Sequence, residues 1–154
     1  MSVVKGRALR WSAVAFAIGF GIHGLDHQRR GMSASPMAVM IGGTIQGVLV
    51  VIAVAMVLTS RYRAPEAAIG IGFGSAALFT YAHVLPTFWS GFQDSFVSLP
   101  HTNVNWFSWL SAVAEVGTGI VFGVVGVRAV HDRGARGTAG SLSRSGTQLR
   151  VISR

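Results

Sequence analysis

The chain has 154 residues, of which 51% are hydrophobic and only 12% charged, and its mean hydropathy is +0.52. A soluble domain carries about 25% charged residues, so lipid rather than water is the expected solvent, and one compact unit is expected at this length. Cysteine is absent, which excludes disulfides, thiolate metal sites, iron–sulfur clusters and thiol nucleophiles; the net charge of +8 sits on residues that flank apolar runs, which points to membrane topology and anionic lipid and away from nucleic acid.

Lys5, Arg7 and Arg10 precede an uncharged run over residues 11–25. A helix over that run alone covers about 22 Å, short of the roughly 30 Å hydrocarbon core. The first span is therefore expected over about 10–28, running on through Asp26 and His27. A signal peptide is the competing reading, but no small-x-small cleavage site follows promptly and the polar stretch 26–30 intervenes. A short turn over residues 31–36 leads to a second apolar run, with a span expected over about 37–60 and closed by Arg61 and Arg63. Pro65 and Glu66 have the character of a first helical turn, with proline early and an acid at the positive end of the dipole. A third span is expected over about 65–85, ending near Leu85-Pro86.

Residues 87–105 form a longer connection rich in aromatic side chains, Trp89, Phe92 and Phe96 among them, and are expected to lie on the membrane interface. The fourth span is expected over about 106–127, with Glu115 as its one formally charged interior residue and Arg128 closing it. Residues 131–154 are rich in Arg, Ser, Gly and Thr and read as a disordered basic tail. Its Arg133, Arg136, Arg144 and Arg150 are expected to lie on an anionic leaflet.

With the N-terminus inside, the inner segments hold Lys5, Arg7, Arg10, Arg61, Arg63, Arg128, Arg133, Arg136, Arg144, Arg150 and Arg154, eleven of the thirteen basic residues; the outer segments hold Arg29 and Arg30. The positive-inside rule then gives an all-α, integral membrane, up-down four-helix bundle with both termini cytoplasmic, in the plasma membrane. Gly43-xxx-Gly47, Gly70-xxx-Gly74 and Gly119-xxx-Gly123 offer small-residue faces for close helix approach, within the bundle or in a homo-oligomer.

The polar residues within the spans fall at one level. Counting from the basic flanks at 1.5 Å per residue, His23 and Glu115 lie about 20 Å up, Gln46 about 22 Å, Thr80 about 25 Å and His83 about 30 Å. With Asp26, these residues form an expected polar layer in the outer half of the bilayer. His23 and His27 are four apart and share a helix face with Asp26. Such a pair can hold a metal ion or haem, with His83 completing the set and His101 or Glu115 on the same side. Interhelical hydrogen bonding accounts for the same residues without a ligand. An Asp26 pair with Arg29 or Arg30 would neutralise the helix end, and matched depth suggests a Glu115–His23 pair sharing a proton.

The set His23-Gly-x-Asp-His-x-x-Arg-Gly31, His83-x-Leu-Pro86, Trp89-Ser with Phe92 and Asp94-Ser-Phe96, and Trp109-x-x-x-x-Ala114-Glu115 resembles small four-span membrane proteins predicted in actinobacteria. The resemblance covers about residues 10–130. That family has no established function, so the resemblance implies topology and no activity.

No phosphate loop, nucleophile elbow or nucleotide motif is present, so enzymatic activity is not expected. Three readings stay open. One is a non-enzymatic accessory or structural component of the membrane, alone, as a homo-oligomer or within a larger membrane complex. The second is a metal- or haem-binding membrane protein. The third is a small proton-coupled transporter using Glu115.

Overall fold

Four apolar runs bracketed by charge become four helices in a computed structural model. The backbone is described for residues 3–31 and 33–152, and side chains for 6–31 and 33–135. Helix α1 is Val3–Arg30, α2 Met37–Leu58, α3 Ala64–Phe79 and α4 Trp106–Ile152, and α3 continues into a π-helical turn, Thr80–Val84. The stretches Gly6–Arg30, Met37–Leu58, Ala64–Val84 and Trp106–Ala135 are each long and apolar enough to cross a membrane.

The ends of the helices follow from the sequence. Gly31 stops α1 because it alone there adopts a left-handed conformation, φ +92°. Pro65 sits in the first turn of α3 beside Glu66. α4 departs from expectation at its C-terminal side, running on past Val127 as helix to Ile152. The side chains of Arg136, Arg144 and Arg150 lie outside the described residues. Arg133 donates to Glu66 Oε1 at 3.1 Å and stacks over Tyr62, so its guanidinium is engaged with the protein.

Neighbouring helices run in alternate directions. Arg10 of α1 donates to Ser60 Oγ beyond the end of α2, and Arg133 of α4 meets Glu66 at the start of α3. At the opposite end, Arg29 and Arg30 of α1 meet the connection that precedes α4. We call these the basic end and the loop end. α4 is the central element, packed along both α1 and α3, while α2 bridges α1 and α3.

The apolar core lies toward the basic end, where Phe16 of α1 stacks on Phe122 of α4 at 5.3 Å among Leu9, Ala13, Val50, Ala53, Val57, Ala64 and Ala68. α2 takes part in it only through its second half. Val50, Ala53 and Val57 are buried, but no residue from 37 to 49 is. The first half of α2 therefore stands away from the bundle and leaves a gap at the loop end.

Small residues set the α3–α4 distance, but not by the motif expected on α3. Nothing lies within 4 Å of a Cβ added at Gly70 or Gly74. It is Gly72 that meets the Gly119/Gly123 face of α4: a Cβ there would lie 2.6 Å from Gly119 O and 2.7 Å from Gly123 N. Both obstacles are backbone, so the helices must separate to admit a methyl group. Gly72→Ala is expected to destabilise the bundle by about 1–3 kcal/mol, as overpacked cores do. Gly70→Ala, with open space around it, should leave the unfolding transition in lipid nearly unchanged. Equal effects of the two would show that the contact does not hold the bundle.

Candidate metal centre

The site begins with helical spacing. His23 and His27 stand one turn apart on α1, so both rings emerge on one face, with centroids 4.4 Å apart. His83 is brought to them by the π-helical turn, where one extra residue per turn re-aims the side chain. Its ring centroid lies 5.1 Å from that of His23 and 5.5 Å from that of His27. One ring nitrogen from each of the three histidines lies within 4.8 Å of the other two. His101, exposed in the connection, is not part of the group.

The π-helical turn frees backbone carbonyls, and Pro86 supplies no N–H. The segment 93–96 answers five carbonyls between Tyr81 and Pro86. Gln93 Nε2 donates to Tyr81 O and Pro86 O, Asp94 N to Ala82 O, Phe96 N to His83 O, and Ser95 Oγ to Leu85 O. Gln93 Oε1 in turn accepts from the Phe88 and Trp89 amides. The connection expected to lie on the interface is thus partly a buried plug: Gln93, Asp94, Ser95 and Phe96 are buried. Its aromatic rim, Phe88, Trp89 and Phe92, is exposed.

The plug also fixes which nitrogen is free on two of the three rings. His83 Nδ1 lies 3.0 Å from Asp94 O, a carbonyl that only accepts, so Nδ1 carries the hydrogen and Nε2 the lone pair. Ser35 donates its only hydroxyl hydrogen to Asp94 Oδ2 at 2.6 Å. The contact of Ser35 Oγ with His27 Nδ1 at 3.3 Å must then run from the ring to the hydroxyl, which leaves His27 Nε2 with its lone pair. A metal-ligating histidine commonly donates its far N–H to such a carbonyl or carboxylate-linked partner. The third ring, His23, is 7% exposed and packs edge-on to Phe79, and its Nδ1 is buried with no partner.

Asp94 is held by Arg30 through two short bonds, 2.6 and 2.7 Å, between side chains with 0% and 4% of their surface exposed. Arg30 Nε donates to Thr102 O, and its guanidinium lies over Phe96. Arg29 pairs with Asp26 at 2.8 Å and donates to Asn103 O and Ser108 Oγ. The two arginines at the loop end therefore tie α1 to the connection and to α4.

Of the expected polar layer, His23, Gln46, His83 and Glu115 line one cavity of about 520 Å³, together with His27. Asp26 turns instead to Arg29 and Ser108, and Thr80 donates to Ala76 O on its own helix. The expected Glu115–His23 hydrogen bond is not made. Gln46 Nε2 donates to Glu115 Oε1 at 3.2 Å, and Glu115 Oε2, fully buried, has no partner. Ser35, Gln93 and Asp94 are support residues that the sequence reading missed. The one available signal was the polar run Gln93-Asp94-Ser95 within an aromatic connection, seven residues past Pro86.

No family model, curated protein or solved structure matches this chain.

Proposed function

We propose that this chain is an integral membrane protein, with both termini cytoplasmic and the loop end outside, whose function rests on a transition-metal ion bound by His23, His27 and His83. The observation that carries this is the convergence of one ring nitrogen from each of three histidines within 4.8 Å, in rings of which two are held by Nδ1 contacts to Ser35 and Asp94. Three neutral imidazoles with no thiolate suit zinc, copper, iron or nickel. Three protein ligands leave an open position, the pattern of a reactive rather than a closed structural site. All three histidines line the cavity, so an ion held by them would border it.

Haem fits this arrangement less well than a bare ion. His23 and His27 are edge-to-face neighbours on one helix, and a macrocycle has no plane to occupy between them. A purely structural role leaves His23 Nδ1 buried and unpartnered, a loss of about 1–3 kcal/mol without a compensating contact. Passage of a solute through the bundle is opposed by the packed apolar core and the Phe16–Phe122 stack on the basic side of the site.

The test is metal analysis of the full chain purified in detergent and dialysed against Zn(II) or Co(II). One ion per chain is expected, with a tetrahedral-type visible spectrum for Co(II). Stoichiometry well below one for both ions and for copper would overturn the reading.

A further inference from the structure

The gap beside the three histidines has features that helix packing does not explain. Gly24, Gly42 and Gly43 all line it, yet a Cβ at any of them would meet nothing within 4 Å. They do not bring backbones together; they keep volume open. The wall is the first half of α2, none of whose residues is buried, so its far side faces lipid. The rest of the lining is largely apolar, with Phe20, Met40, Leu78, Phe79 and Phe92. Among the described residues no lysine or arginine lines it, and Glu115 is the one carboxylate that does.

We propose that this cavity is a binding chamber for a neutral, membrane-dissolved molecule with an apolar body and a single oxygen head group, of the phenol class. About 520 Å³ is the size of a small-molecule site. Away from the three histidines, a charged group would lie unpaired against that lining, whereas an apolar body replaces lipid contacts. The head group has two partners. One is the open position of the three-histidine ion, and this part rests on the metal reading above. The other is Gln46, which gives one amide hydrogen to Glu115 and keeps its second N–H and its carbonyl for the cavity. Entry is lateral, between α1 and α2, since the basic side is closed by the packed core.

The test uses the full chain in lipid nanodiscs, with and without Co(II), and 4-pentylphenol as probe. Saturable change of the Co(II) visible bands is expected with 4-pentylphenol and not with pentylbenzene. Gly43→Leu fills the chamber from a position with free space, and should retain Co(II) while weakening the phenol response about tenfold or more. The milder Gly43→Ala, with a smaller effect in the same direction, guards against misfolding of the larger variant. A diazirine-bearing alkylphenol supplies a readout that needs no metal: it should label the lining positions Val39, Met40 and Gln46 and lose that labelling in Gly43→Leu. If Co(II) fails to bind but this labelling holds, the metal reading falls and the chamber stands. If Co(II) binds while the phenol response is non-saturable, or labelling is confined to lipid-facing Ile41, Ile45 and Val48, the chamber is overturned. Cross-linking of two copies through α2 in place of phenol labelling would overturn it as well.

Discussion

His27→Ala is expected to lower affinity for Co(II) or Zn(II) by more than about 100-fold, because loss of an outer-shell partner alone costs about 10–100-fold and this change removes a ligand. His27 is the best of the three to remove, since it is only half-buried and its ring is not packed into the Phe79–Phe96 cluster as His23 and His83 are. Its loss should therefore leave the apo protein close to the parent in stability. The same experiment has a second readout. A bound ion stabilises the folded state by about 2.7 kcal/mol at a hundredfold excess over its dissociation constant. The parent should thus melt at higher temperature with metal, and His27→Ala should show no such gain. His101→Ala, exposed and outside the group, should bind and melt as the parent does. Equal affinity in His27→Ala and the parent would sink the three-histidine site.

The helices were legible because charge brackets them. Arg61 and Arg63 close α2, Pro65 and Glu66 open α3, and α2 and α4 begin at Met37 and Trp106, where the sequence places them. The face each helix turns to its neighbour was less legible. The Gly70-xxx-Gly74 pattern has the right spacing, but α3 is rotated so that Gly72 meets α4. In lipid, an apolar residue facing a neighbour and one facing solvent look alike in sequence, so the lean of α2 and the gap it opens leave no trace in the hydropathy. Level along the axis was readable from counting, which is how His23, Gln46, His83 and Glu115 could be grouped. Direction was not: Thr80, at the same level, bonds its own helix. The support of the site was hidden for a different reason. Ser35 and Arg30 reach Asp94 across 59 and 64 residues, and no local pattern signals such a contact.

That same buried contact sets the largest expected loss of stability. Asp94→Ala should destabilise the bundle by about 3–5 kcal/mol, the usual result of leaving one member of a buried ion pair alone. The Arg30 side chain has no exposed surface, so its guanidinium cannot turn to water without pulling the end of α1 out of the bundle. The loss should spread to the site. Asp94 Oδ2 accepts from Ser35, and Ser35 aims His27. The alanine variant should also lower metal affinity by about 10–100-fold, the range for an outer-shell partner. Asp94→Asn retains the shape, the backbone carbonyl that aims His83 and, with its amide oxygen in the place of Oδ2, an acceptor for both Ser35 and one Arg30 nitrogen; its amide nitrogen cannot accept the second Arg30 bond, so it should cost less stability and less metal affinity than alanine. Removing both charges separates the two effects. Arg30→Met with Asp94→Leu leaves no uncompensated charge and should recover much of the stability, since buried pairs replaced by packed apolar groups are often neutral or better. It should not recover the metal affinity, because Ser35 would still lack its acceptor. Unfolding in lipid and metal titration, run on the three variants together, read these outcomes directly. Recovery of metal affinity in the double variant would show that Asp94 acts on the site only through the stability of the fold.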